Sequence, residues 1–263
     1  MKKLSLVLMA LLAFTFVGCS EWLDLPDPDP EPDPDPDPIE ETLITLDTTA
    51  VTLNSGETYQ INAECEYPIT YTSEDEYVAT VSEDGLVTAN FVGSTVITLQ
   101  AETDSQTFEV TVAPVSELYP EPEIEFGESK ESVIERFGEP AAETEEAIGY
   151  NDYSDNTMML MVVFDENDLV EYYAVVLDTE YSEELDTFLS ERYLYAGEAE
   201  GIKVYINALD ESDATMYVGS QIDEGFLMAI YMANTGDDGG DENDEDDKVA
   251  AGHFKTLLKS LTK

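Results

Sequence analysis

The chain has 263 residues, with 60 Asp or Glu against 10 Lys or Arg, and a formal net charge of −50. Nucleic-acid binding needs basic patches that displace phosphate counterions, so this composition excludes a nucleic-acid partner. His253 is the single histidine, so no His-based triad or His metal cluster can form. Carboxylates are so abundant that no pair stands out as catalytic. We therefore predict no enzyme activity, no cofactor and no metal site.

Residues 1–18 have the layout of a secretory signal peptide. Lys2 and Lys3 precede an uncharged run that ends at Gly18, and this run is shorter than the about 20 residues of a membrane span. Cys19, directly after Gly18, resembles the lipobox cysteine of bacterial lipoproteins, although Phe16 stands where the usual residue is Leu. The resemblance implies cleavage before Cys19, a diacylglycerol on its thiol and attachment to the outer membrane. The alternative is an ordinary signal peptide with an incidental cysteine.

Residues 19–39 form an acidic, proline-rich tether. Proline occupies every second position from Pro26 to Pro38 and alternates with Asp or Glu. Proline and the residue before it both favour extended backbone, at about 3.1 Å per residue. We therefore expect a stiff spacer of about 40 Å between anchor and folded body. Ser20, Glu21 and Asp24 resemble the acidic surface-export signal of Bacteroides-type lipoproteins, which leaves the leaflet open.

Residues 40–114 are predicted to form short β-strands joined by turns. Phe108, Val110 and Val112 alternate with polar residues, and Asp84-Gly85 is a turn signal. Short strands at this spacing favour an all-β sandwich. The predicted strands are Leu43–Asp47, Ala50–Leu53, Thr58–Cys65, Ile69–Ser73, Tyr77–Val81, Leu86–Ala89, Gly93–Ala101 and Gln106–Ala113. Cys65 falls on the apolar face of its strand, as a buried and inert thiol.

The same stretch resembles the bacterial Ig-like domain of group 2. The matching segments are Leu46–Leu53, Tyr71–Asp75, Val78–Val81, Asp84–Ala89 and Gly93–Thr98, with Tyr71 in place of the family's Trp. The resemblance implies an Ig-like sandwich of the kind found in adhesins and other envelope proteins. It implies no ligand site that can be transferred residue by residue. A binding role and a spacer role both stay open.

Residues 115–235 are predicted to form an α+β domain. Ser129 is expected to cap a helix through Phe137, and Ser182 a second helix. The predicted strands are Met158–Phe164, Leu169–Leu177, Ile202–Asn207, Thr215–Gln221 and Phe226–Met232. Short connections indicate an antiparallel sheet with both helices on one face. The motif Phe126-Gly127-Glu128-Ser129 with Phe137-Gly138 resembles small envelope-assembly lipoproteins.

Eleven of the fifteen tyrosines lie in this second domain, and exposed tyrosines make good contact surfaces. Those near predicted loops are the candidate contact surface: Tyr150, Tyr153, Tyr193 and Tyr195. Residues 236–263 are an acidic low-complexity tail that ends in a short basic segment. In that segment Phe254, Leu257, Leu258 and Leu261 recur at helical spacing.

Taken together, these patterns predict a lipid-anchored envelope protein with a non-enzymatic binding or adhesion role. The expected partners are the membrane, through the lipid, and an extracellular glycan or an envelope protein. The alternative is a structural or assembly accessory of the envelope that acts through the α+β domain. Exposed tyrosines would favour the first hypothesis, and a broad apolar groove the second.

Overall fold

The computed structural model describes residues 43–235 except residues 103, 152, 200 and 224. The predicted signal peptide, Cys19, the tether and the tail from residue 236 lie outside the described residues. The described residues belong to one compact unit. Within them, we find no helix with the length and apolar character needed to cross a bilayer.

The first module is a β-sandwich, as predicted. Its three sheets have the strand orders β2-β9-β8-β5, β3-β7-β6 and β1-β4, and only β2 with β9 is a parallel pair. The strands are β1 Thr45–Leu46, β2 Ala50–Asn54, β3 Thr58–Gln60, β4 Ala63–Glu64, β5 Thr70–Ser73, β6 Ala79–Val81, β7 Leu86–Ala89, β8 Gly93–Ala101 and β9 Asp104–Ala113.

Strict alternation along β9 builds the core of this sandwich. Phe108, Val110 and Val112 are buried while the residues between them are exposed. Gly85 has a φ of +79°, which glycine adopts without steric cost. A Cβ at Gly85 would lie 2.9 Å from the Tyr71 ring, so this turn requires glycine for space as well. The turn predicted at Asp84-Gly85 is confirmed.

Two sequence predictions in this module need correction. The strand expected over Thr58–Cys65 is interrupted, because Ile61 turns into the core between β3 and β4. Cys65 therefore follows β4 and is half-buried instead of fully buried. The strand expected from Tyr77 begins at Ala79, and Tyr77 points towards the second module instead.

The second module is mostly sheet, which corrects the predicted α+β domain. One antiparallel sheet of eight strands has the order β10-β11-β12-β13-β17-β16-β15-β14. Helices α1 (Lys130–Phe137) and α2 (Ser182–Ser190) have only 8 and 9 residues. The strands are β10 Ala142–Glu143, β11 Ala147–Tyr150, β12 Met159–Phe164, β13 Val170–Leu177, β14 Leu194–Ala199, β15 Ile202–Ile206, β16 Met216–Asp223 and β17 Phe226–Ala233.

The sheet is built from two halves of similar plan. In each half a short helix precedes four strands that pair in sequence order, and the last strands, β13 and β17, lie side by side in the centre. The pairing runs from Tyr172 with Met232 to Leu177 with Leu227. Each half supplies one edge strand, β10 or β14.

Both helices pack on one face of this sheet, as predicted. Val133 of α1 and Leu185, Phe188 and Leu189 of α2 share one buried cluster with the sheet. The Ser129 hydroxyl caps α1 by accepting from the Ser132 amide at 3.3 Å. Ser182 is not the cap of α2, because a 3-10 turn over Thr179–Tyr181 precedes that helix and is capped by Asp178.

The segment between the two modules is part of the second core. Leu118 and Tyr119 are buried against the helix face of the sheet. The Tyr153 hydroxyl donates to the Pro120 carbonyl at 2.5 Å, and the Tyr193 hydroxyl donates to the Glu121 carboxylate. Tyrosine side chains thus hold this connection in place. We call the connection, residues 115–122, the interdomain strap.

A buried polar junction joins the modules. The Glu191 carboxylate, 5% exposed, accepts from the amides of Val115 and Ser116 at 2.7 and 3.0 Å. Its carbonyl accepts from the Val92 amide at 2.8 Å, and its side chain pairs with Arg192 at 2.6 Å. The Tyr77 hydroxyl donates to the Arg192 carbonyl at 2.6 Å. Buried charges are tolerated when they are paired and hydrogen-bonded, as they are here.

Candidate contact site at the sheet edge

An exposed aromatic ring marks the edge strand β14. Tyr195 is 51% exposed and is the direct cross-strand partner of Tyr205 on β15. The two rings meet edge to face with centroids 5.5 Å apart, a favoured arrangement for aromatic pairs. Tyr205 is buried, and burial together with Asp186 raises its pKa well above the ordinary tyrosine value. Tyr205 thus fixes the position of the Tyr195 ring.

Helix α2 supplies the polar wall of the same site. Lys203 on β15 forms an ion pair with Asp186 of α2, and both side chains are partly exposed. Thr187 and Ser190 line the groove beside them. Lys203 is one of only four basic residues between residues 20 and 247. The groove therefore combines an aromatic ring, a cation, an anion and hydroxyl groups.

The groove is open and shallow, with a volume of about 380 Å³. Its volume lies within the range of small-molecule sites, about 300–1,000 Å³. An aromatic platform beside hydrogen-bonding groups suits the flat face of a sugar ring or the side chain and backbone of a peptide.

The four tyrosines named from the sequence occupy different environments. Tyr193 is 8% exposed, and its hydroxyl donates to the carboxylate of Glu121, which is exposed. Tyr150 packs on Phe137, and its hydroxyl donates to the Gly138 carbonyl at 3.1 Å. Tyr153 holds the interdomain strap. Their contact role stays a prediction, for which the geometry favours Tyr195 and burial weighs against Tyr193.

Sequence reasoning missed the polar half of this groove. Asp186, Thr187 and Ser190 lie on the side of α2 turned away from its buried residues. Their meeting with Lys203 depends on the packing of α2 over β15, which a sequence pattern does not reveal. The signal that could have found the site is the scarcity of basic residues, which singles out Lys203.

The first module has a second groove, lined by acids and hydroxyls. Glu74, Asp75 and Glu109 contribute, together with Ser94 and Thr95. The Thr95 hydroxyl already accepts from the Asp75 amide at 2.9 Å. No three His, Cys, Asp or Glu side chains in the described residues come close enough together to hold a metal ion. The polar groups of this groove form hydrogen bonds with each other. The groove beside Tyr195, which we call the edge groove, is therefore the better candidate.

The fold defines a β-rich protein of two modules, and the groove beside Tyr195 is its candidate contact site. Residues 41–112 match the family described as bacterial Ig-like domain (group 2). The match confirms the resemblance found in the first module. No curated protein sequence matches the chain significantly.

Solved structures of a surface layer protein also align with the chain. "Structure of surface layer protein SbsC, domains 1-6" aligns at 14% identity with a TM-score of 0.24, over 73% of this chain and 21% of that one. "Crystal structure of the S-layer protein rSbsC(31-844)" aligns at 14% identity with a TM-score of 0.25, over 73% of this chain and 21% of that one. "Structure of the S-layer protein SbsC, domains 5-6" aligns at 14% identity with a TM-score of 0.24, over 75% of this chain and 86% of that one. The chain spans about a fifth of the first two structures, and at these scores the likeness carries no argument.

Proposed function

We propose that this protein is a lipid-anchored component of the bacterial cell envelope that binds a glycan or protein ligand without catalysing a reaction. The observation that carries the binding role is the exposed Tyr195 ring, held by Tyr205 beside the Lys203–Asp186 pair. The bacterial Ig-like domain supports a place at the cell surface. The signal layout with Cys19 supports the lipid anchor.

Replacing Cys19 with serine tests the anchor. Serine cannot carry the thioether-linked lipid, so the variant is expected to move from the membrane fraction to the soluble fraction after cell lysis. The native chain should carry a diacylglycerol mass on its N-terminal residue, measured by mass spectrometry of the intact protein. A native N-terminus that lacks the lipid would contradict the anchor.

The Tyr195→Ala variant tests the groove. Losing the ring should weaken binding by about 10- to 100-fold, because truncating a contact tyrosine costs about 1.4–2.8 kcal/mol. The measurement is binding of the full mature chain to a glycan array and to immobilised envelope proteins. Tyr67→Ala is the matched control, since Tyr67 is 41% exposed in the first module, away from the groove. Equal binding by both variants would remove the groove from the proposal.

A second candidate is a structural accessory that acts as a rigid strut in the envelope. The buried junction around Glu191 favours it, because a fixed geometry between modules serves spacing. The two candidates differ in a complementation experiment with a deletion strain. A strut should tolerate Tyr195→Ala and fail when the junction is weakened, whereas a binding protein should fail with Tyr195→Ala.

A further inference from the structure

The face of the eight-stranded sheet opposite the helices is an apolar surface without charge. Cross-strand registers align its side chains in three rows, which we call the open face. The rows are Met159, Val176, Met228 and Gln221; Gly149, Met161, Ala174, Ile230, Gly219 and Val204; and Ala147, Val163, Tyr172, Met232, Tyr217 and Ile206. In a chain with 60 acidic residues, none of these side chains is charged.

One side of the open face is covered by a loop, and the other side is covered only in part. Ala208 and Ala214, from the loop between β15 and β16, pack with Val204 and Ile206. On the β12–β13–β17 side, Ala174, Ile230 and Met232 are buried, whereas Met161, Tyr172 and Met228 remain half-buried. All buried members of this cluster come from strands or from that one loop, and both described helices lie on the other face. The half-buried methionines and Tyr172 therefore leave apolar surface on this side that a further element can cover.

We propose that the C-terminal segment of the same chain, residues 248–263, docks on the open face over β12, β13 and β17. The segment has four lysines and no acid, and its apolar residues Phe254, Leu257, Leu258 and Leu261 recur at helical spacing. No other stretch after the signal peptide combines a net positive charge with an apolar stripe at helical spacing. The docked segment completes a second layer on the sheet.

The dimensions fit this occupant. As a helix, sixteen residues span about 24 Å, and the eight residues of β13 span about 26 Å. Three strands spaced about 4.8 Å apart give a strip about 10 Å wide, which is the diameter of a helix. The described chain ends two residues after β17, in the centre of the sheet. The twelve residues 236–247 can extend to about 40 Å, so the segment can reach every part of the face.

The charges are complementary as well. Burial, with Glu171 and Glu146 nearby, raises the pKa of Tyr172, which places two carboxylates at the border of the third row. At the opposite end, Asp223 pairs in register with Phe226 beside the first row. The open face is thus apolar within an acidic rim, and a lysine-bearing apolar helix matches both properties.

Methionine oxidation in the full chain tests this docking. The variant Leu257→Asp/Leu258→Asp puts charges on the apolar stripe and should expose the face. Met161 and Met228 are then expected to react with hydrogen peroxide several-fold faster than in the native chain, measured residue by residue with peptide mass spectrometry. Circular dichroism would confirm that the variant retains its sheet.

Two controls make the result specific. Thr256→Asp/Ser260→Asp adds the same charge on the opposite side of the predicted helix and should leave the protection unchanged. Met158 precedes β12, is 47% exposed and alternates in direction with Met159, so it should react equally in every variant.

Three results would overturn the proposal. Equal oxidation of Met161 and Met228 in all variants would show that the segment does not cover them. Protection that falls on dilution, together with dimers in size-exclusion chromatography, would assign the face to a second copy of the chain. Protection that appears only after adding envelope extract would assign it to another protein.

Discussion

At the scale of single residues, the tyrosines of the second module act mainly as internal hydrogen-bond donors. Tyr193 donates to Glu121, Tyr153 donates to Pro120, and the hydroxyls of Tyr119 and Tyr231 lie 2.8 Å apart in the core. A buried hydroxyl costs free energy unless it has a partner, and the buried hydroxyls of Tyr119 and Tyr231 are partners of each other. Many of these tyrosines therefore serve to fix the interdomain strap and the core, and only a few are free to contact a ligand.

This network predicts a sharp loss of stability in alkaline solution. Burial, reinforced by Glu121, raises the pKa of Tyr193 well above its ordinary value of about 10, and burial does the same for Tyr119, Tyr231 and Tyr153. A pKa that is higher in the folded state means that the stabilisation is complete below pH 10. It is lost as the pH rises above that value.

The measurement is tyrosinate absorbance and circular dichroism during one alkaline titration. We expect the buried tyrosines to ionise in a cooperative step that coincides with the loss of sheet signal. Smooth ionisation of all fifteen tyrosines while the sheet signal stays intact would contradict this picture.

At the scale of elements, the junction between the modules rests on few side chains. The Tyr77 ring stacks on Phe91 with centroids 4.5 Å apart, and its hydroxyl reaches the Arg192 carbonyl. Around them, Glu191 connects the Val92 amide of the first module with the strap before the second. The two modules should therefore unfold together.

Tyr77→Ala is expected to break this coupling. Losing the ring contact and the hydrogen bond should cost about 2–4 kcal/mol and split one urea transition into two. Tyr67→Ala, an exposed change in the same module, should stay within about 0.5 kcal/mol of the native chain. A single unshifted transition for Tyr77→Ala would show that the interface carries little of the stability.

The elements also show what the sequence could predict. Strands with clear alternation, such as β9, and the apolar run of β12 were found because burial imposes their pattern. The strands β11 and β14 were missed because Gly149 and Gly197 interrupt short segments that lack alternation. At Gly197 the register of β14 shifts against β15, which explains the lost period.

The candidate site was predictable only in part. Tyr195 could be named because it is an aromatic residue near a predicted loop. Its partners could not, since Asp186 and Lys203 come together only through the packing of α2 over β15. Tyr193, two residues before Tyr195, points into the core, and sequence position alone could not separate the two.

At the scale of the whole molecule, charge and apolar surface are segregated. The four basic residues of the described region all pair with acids: Lys130 with Glu143, Arg136 with Glu128, Arg192 with Glu191, and Lys203 with Asp186. The remaining acids cover the surface and keep other anionic surfaces away. Apolar side chains, in contrast, are concentrated in the two cores and on the open face, which has no charged residue in its three rows.

The central pairing of β13 with β17 also has a consequence for biosynthesis. The chain is made from its N-terminus, so β13 and the strands before it exist while β17 is still missing. Until then β13 offers an unpaired hydrogen-bonding edge, which other chains can use for aggregation. The sheet closes only when its last strand arrives, at the end of the described chain. We therefore expect a newly made chain to avoid aggregation only if β17 pairs with β13 soon after it is made, or if a chaperone covers the β13 edge until then.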